Sequence, residues 1–243
     1  MRDSRTLMLA MFLAATLHAA PGLAQQAPAP APGSAPGPAP SAAPAAPATP
    51  PATNSATDAS EPEEKADIKG FRSALWGMTE AQIREAIRKD FGQVRVTVEQ
   101  NPADLTTLVW ANVDNLLPGS GLGRVTYILG HTTKKLIQVS ITWGGPINPS
   151  LKPEAAISVA NLLRGHFATL TYKPDSVVQY AKAQDGSIVI FRGFDFENRM
   201  TLLVLSELTK QEGAPPTAPV VLQLSYVQNI QKPDIFRVNR GQF

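Results

Sequence analysis

The 243-residue chain contains no cysteine. That absence removes disulfides, thiol nucleophiles and thiolate metal sites together, so a folded part of this chain must be held by its core alone. Histidine is almost as scarce, at three residues. His18 lies in an N-terminal apolar run, which leaves His131 and His166 for chemistry, and zinc would need further ligands at no recognisable spacing. Aromatic residues make up only 7%. With no basic helix beside them, nucleic acid is not expected as a partner. The apolar run over residues 7–17 is too short to cross a bilayer core of ~30 Å as a helix.

Proline, by contrast, is abundant at one end, with eleven of the 22 prolines between Pro21 and Pro51. Before them, Arg2 and Arg5 precede the apolar run, and Gly22-Leu23-Ala24 places small residues where a signal peptidase reads. Residues 1–24 are therefore expected to be a signal peptide cleaved after Ala24, which implies a periplasmic or secreted protein with no transmembrane domain once cleaved. Residues 25–68 read as a disordered Pro/Ala-rich linker, because no helix or sheet interior tolerates that proline density. In polyproline II geometry, at ~3.1 Å per residue, such a linker reaches up to ~100 Å. Its acidic end carries Asp58, Glu61, Glu63, Glu64 and Asp67 against Lys65, while the chain from Lys69 onward has 19 Lys+Arg and 14 Asp+Glu. Two readings of that polarity stay open: the acidic stretch folds back on a basic face, or it solvates the linker.

The strongest local structure signal lies in residues 71–92. Thr79 with Gln82 forms a capping-box pattern, Met78 and Ile83 a hydrophobic staple, and Gly92 a C-terminal stop. Between them Ile83, Ala86, Ile87 and Phe91 recur at helical spacing. Short strands are then expected near residues 93–99, 106–113, 124–130 and 136–143. In the last of these Ile137, Val139, Ile141 and Trp143 alternate with Gln138, Ser140 and Thr142, giving one buried and one wet face. Pro153 and Glu154 open a second helix, with Ile157, Ala160, Leu163, Phe167 and Leu170 on its apolar stripe. Strands follow near 177–182, 187–194, 200–208 and 220–228, with a Gly/Pro-rich loop at 210–219. The tail from Asn229 has enough apolar residues to pack as an edge or a latch. The expected fold class is α+β, with tandem helix-plus-antiparallel-sheet units (αβββ, then αββββ) spanning residues 69–147 and 148–243.

No constellation in this order of elements demands catalysis. Ser120 in Gly119-Ser120-Gly121-Leu122-Gly123 lacks the nucleophile-elbow pattern, and the same segment leads into a strand rather than a phosphate-binding helix. Asp195, Glu197 and Asn198 are close together, but no distal glutamate completes a calcium loop, and a hairpin turn accounts for them. Asp90 and Asp114 have turn or cap explanations. Tyr127, Trp143 and Trp110 are expected in the core rather than on a recognition surface. The chain is thus expected to be no enzyme, with no catalytic, cofactor or metal residues. Lys134 and Lys135 in one turn, with Arg192 and Arg199 around another, are the candidates for meeting an anionic partner if those turns share an end of the sheets.

The stretch Phe71-Arg72-Ser73-Ala74 followed by Gly77-Met78-Thr79-Glu80 resembles the helix start of a group of exported bacterial proteins. Gly77-Met78-Thr79 with Ile83 is also similar to that of outer-membrane assembly lipoproteins of the SmpA/OmlA type and of the β-lactamase-inhibitor-like fold. The resemblance implies helices on an antiparallel sheet and a domain that binds another protein. The chain departs from the lipoproteins in lacking the lipidated cysteine and in having a second helix-plus-sheet cycle, which is closer to the tandem inhibitor-like arrangement. The function expected is that of an exported, non-enzymatic adaptor for an unknown protein partner in the cell envelope. The alternative is a small-ligand binder or hydrolase with a site built from scattered residues.

Overall fold

Alternation in the strands decides this fold, because it gives each strand one apolar face that must be covered. The computed structural model describes residues 64–207, 220–238 and 241; the expected signal peptide, the linker up to residue 63 and the loop at 210–219 lie outside them. A two-stranded ribbon of β1 (Gly70–Phe71) and β2 (Ala74–Leu75) leads into α1 (Glu80–Phe91). At the start of α1 the Thr79 amide donates to Gln82 Oε1 at 2.9 Å. At its end Gly92 adopts φ 70° and its amide donates to the Arg88 carbonyl at 2.9 Å. Ile83, Ala86 and Ile87 are buried, and an Arg84–Glu80 ion pair lies on the outer side.

Four antiparallel strands follow, β3 (Val96–Gln100), β4 (Thr107–Asp114), β5 (Leu122–Leu129) and β6 (Leu136–Gly144). The first helix therefore carries four strands where the αβββ pattern has three. The first of them, β3, expected near residues 93–99 but not counted in that pattern, is an edge strand in which only Val96 and Val98 pack on the core while Glu99 and Gln100 are exposed. Helix α2 (Pro153–Ala168) then precedes β7 (Val178–Lys182), β8 (Ile188–Phe194), β9 (Met200–Glu207) and β10 (Val220–Val227). The core stripe of α2 is Ala156, Val159, Ala160, Leu163 and Phe167, at i, i+3, i+4, i+7 spacing. Ile157, expected on that stripe, is 46% exposed, since one residue turns the helix by about 100°.

Instead of one sheet per unit there is one eight-stranded sheet, ordered β3-β4-β5-β6-β10-β9-β8-β7. The two meanders join where the last strand of each pairs with the last strand of the other, from Val221 opposite Gly144 to Val227 opposite Gln138. Unpaired, β6 and β10 would each be a long apolar edge with open backbone groups, and pairing them satisfies both ladders. Both runs belong to one compact unit, Ser60–Phe243. Helix α1 lies against β4, and α2 against β8, β9 and β10. A single core row crosses the sheet from Ala111 through Val125, Ile141, Leu224 and Leu203 to Phe191. Tyr127 and Trp143 are in this core. Burial pushes the pKa of the Tyr127 phenol well above its ordinary value.

The chain is already packed before residue 68, where the linker is expected to end. Ala66 and Ile68 are buried, and Ala66 donates to the Thr171 carbonyl at 2.9 Å while Thr171 donates to that of Glu64 at 2.8 Å. Close packing also explains Gly123, which faces Trp143 across the β5–β6 ladder. A Cβ there would lie 2.7 Å from Trp143 Nε1. Gly123→Ala is expected to cost ~1–3 kcal/mol of stability through overpacking. In urea denaturation the midpoint should fall with an unchanged slope; an unchanged midpoint would refute the packing argument.

Candidate partner-binding surface

Each core row in the sheet has a counterpart on the other side, because alternate side chains point away from the helices. The central one runs Thr97, Trp110, Thr126, Ser140, Ser225, Leu202, Arg192 and Val178, each opposite the next through the strand registers. A neighbouring row runs Asn112, Arg124, Thr142, Gln223, Val204 and Val189. Helices α1 and α2 pack on the other face, while Ser140 and Ser225, in the middle of the central row on this face, are 7% and 4% exposed. Its middle is built from small hydroxyl side chains tied together: Gln223 Nε2 donates to Ser140 Oγ at 2.9 Å and to Ser225 Oγ at 3.2 Å, and the two serine oxygens lie 3.2 Å apart.

Large side chains stand on both flanks of that hydroxyl strip. On one, the Arg124 guanidinium sits 3.9 Å from the Trp110 ring, Arg124 Nε donates to Asn112 Oδ1 at 2.9 Å, and Trp110 Nε1 donates to Glu99 Oε1 at 3.2 Å. On the other, Arg192 lies beside Leu202 and over the Phe194 ring. Its Nε is shut off from solvent and has no hydrogen-bond partner among the described residues. Trp110 and Arg192 are five strand steps apart in one row, roughly 24 Å at ~4.8 Å per step. Low residues between tall ones make a trough across the middle of the sheet.

Of the four cations singled out in the sequence, Arg192 alone is on this face. Lys134 and Lys135 are exposed in the β5–β6 turn, and Arg199 is in the β8–β9 turn. The strand registers place both turns at the same end of the sheet. Arg199 is nevertheless engaged within the fold: its Nε donates to Asp195 Oδ2 at 2.6 Å and its Nη2 to Asp67 Oδ1 at 2.8 Å. Asp195, fully buried, also accepts from the amides of Ile68, Glu197 and Arg199. These bonds pin the first packed segment to the β8–β9 turn.

The C-terminal tail behaves as a latch at that end. Asp234 accepts from the Thr132 amide at 2.9 Å, the Thr133 amide at 2.8 Å and the Thr133 hydroxyl at 2.6 Å. The His131 amide donates to the Asp234 carbonyl at 2.8 Å, the Phe236 amide to the Asp104 carbonyl at 2.8 Å, and Phe236 meets the His131 ring edge-on. Burial pushes the Asp234 carboxyl up, but the bonds from Thr133 and Thr132 outweigh it and hold it at about 2.

The remaining candidates have structural explanations. Ser120 is buried, with its Oγ accepting the Leu117 amide at 3.2 Å within the turn. His166 is exposed at the end of α2, with its ring against Phe167. Among the described residues no group of three or more His, Asp or Glu is placed to hold a metal, and no helix is long and apolar enough to cross a membrane.

No family model, curated protein or solved structure matches the chain. The trough therefore stands on its own geometry. Sequence reasoning identified the polar face of β6, though Ser140 on it is buried rather than wet; it expected Trp110 in the core, whereas register puts it on this face with Arg124, Gln223 and Ser225, because which strands adjoin is not a matter of alternation.

Two outcomes follow from the buried and latched carboxylates. Asp195→Ala leaves Arg199 without its nearest carboxylate and Ile68 without its acceptor, a loss of about 3 kcal/mol. Denaturant midpoints should show it; a change under about 1 kcal/mol would reduce the contact to a minor one. For Asp234, the folded value of about 2 lies below the unfolded ~3.9. The latch therefore contributes fully above about pH 4 and is lost as pH falls towards 2. Amide shifts of Thr132 and Thr133 should titrate near the lower value; a midpoint near 4 would contradict the bonding described.

Proposed function

We propose that this protein is an exported, non-enzymatic adaptor that binds an acidic protein partner in the cell envelope through the trough of its eight-stranded sheet. The observation that carries the reading is a hydroxyl-floored sheet face flanked by the stacked Trp110–Arg124 pair and by Arg192 over Phe194. Tryptophan and arginine concentrate binding energy in protein interfaces. The charge balance from Lys69 onward, 19 Lys+Arg against 14 Asp+Glu, favours an acidic partner. The N-terminal sequence supports export, and the Pro/Ala stretch supports a tether that lets the domain search a distance of up to ~100 Å. Lys134 and Lys135, at one end of the sheet, extend the positive surface toward the same partner.

In-cell crosslinking followed by mass spectrometry of the envelope tests this. One dominant partner is expected, weakened at least tenfold by Trp110→Ala or Arg192→Glu, a loss of ~1.4 kcal/mol or more, and less by reversing Lys134 and Lys135 at the rim. Recovery unchanged by both trough variants would sink the reading.

A further inference from the structure

The β5–β6 turn holds a carboxylate as a receptor holds a ligand. Gly130 and Lys135 close the turn, with the Gly130 amide donating to the Lys135 carbonyl at 2.8 Å and the Lys134 amide to the Gly130 carbonyl at 3.1 Å. The turn is braced from outside by the Leu136 amide donating to the Met78 carbonyl at 2.8 Å. None of these bonds involves the tail, so the turn keeps its shape without it. Two successive amides, Thr132 and Thr133, and the Thr133 hydroxyl are then left converging on one point, where Asp234 sits. Convergent backbone amides in a turn form an anion-binding concavity. Gly130 contributes by having no side chain, since a Cβ there would lie 2.9 Å from Asp234 Cβ. Two residues beyond Asp234, Phe236 rests against the His131 ring, 5.5 Å between centroids.

Besides the Asp234 side chain, the tail that fills this site is held by two backbone bonds, from the His131 amide to the Asp234 carbonyl and from the Phe236 amide to the Asp104 carbonyl, with Pro233 and Ile235 only half-buried. Ile230, Phe236 and Val238 are 41%, 41% and 57% exposed, so the tail adds little to the core. A segment with few buried contacts detaches at low cost by local opening. Being tethered, it still occupies the turn at a high effective concentration until a competitor displaces it.

We propose that the β5–β6 turn is a binding site for an aspartate-x-phenylalanine segment of a partner protein, closed in the isolated chain by the same pattern, Asp234-Ile235-Phe236, in its own tail. The turn amides and the Thr133 hydroxyl hold the aspartate, and His131 receives the aromatic ring. The site is distinct from the sheet trough and does not depend on it.

The test uses the full-length chain and a labelled synthetic peptide of residues 229–238. The peptide should bind the Asp234→Asn chain at least roughly tenfold more tightly than the wild-type chain, because the competing tail is weakened. A peptide with asparagine in place of its aspartate should lose that binding. Equal binding to both chains, or none to an Asp234→Asn chain that remains folded, would overturn the proposal. Absence of binding to either chain together with a dimer in sedimentation would assign the turn to the tail of a second copy and overturn the partner reading. Amide exchange in the wild-type chain gives an independent check: Thr132 and Thr133 should exchange by local opening, faster than Val139. Exchange of these amides only through global unfolding would also overturn it.

Discussion

The pairing of β6 with β10 is the constraint on which the rest of the structure depends. Seven successive residue pairs, from Val221–Gly144 to Val227–Gln138, join two helix-plus-meander runs into one sheet. Without it each run would end on an apolar strand with its backbone groups open to water. With it, Ile141 and Leu224 face each other at the centre of the core, and α1 and α2 cover one continuous apolar face. A chain without disulfides thus obtains a core much larger than either half would have alone.

The same pairing creates the other face. Ser140 and Ser225 are 85 residues apart, yet they lie opposite each other across the central ladder and share Gln223. The hydroxyl floor therefore exists only because the two runs are joined, and the Trp110 and Arg192 flanks are carried by strands from different runs. The site is a property of the junction and not of either unit. Two carboxylates then close the structure over long sequence distances: Asp195 holds the Ile68 amide, and Asp234 the amides of the β5–β6 turn. They differ in kind. Asp195 is fully buried and paired with Arg199, whereas Asp234 ties an exposed tail to an exposed turn.

Local signals were the most legible part of this protein. The capping of α1 by Thr79 and Gln82, its stop at Gly92 and the proline start of α2 are read from neighbours within one turn, and the structure has all of them. The alternation of β6 correctly separated Trp143, Ile141 and Val139 from Ser140 and Thr142. The edge strand β3 was read as a strand near residues 93–99 but is one more than the αβββ pattern counts, since an edge held by only two apolar residues barely stands out. Ile157 was assigned to the core of α2 because it is apolar, but the stripe is set by Ala156 and Val159, which let α2 approach the sheet. Of the four candidate cations, Lys134 and Lys135 are at the surface as read, while Arg199 is drawn into the Asp195–Asp67 cluster. Nothing in its own neighbourhood reveals Asp67, which lies 132 residues away.

What the sequence by itself determined was the set of elements: two capped helices, strands with one apolar side, turns where glycine and aspartate allow them, and no cysteine to cross-link them. These depend on interactions within a few residues, and a local reading reaches them. The order of strands, the single sheet in place of two, the trough across its middle and the tail seated on the β5–β6 turn were decided only by tertiary structure. Each is a contact between segments far apart in the chain, chosen because it buries edges or satisfies buried polar groups that no local pattern records.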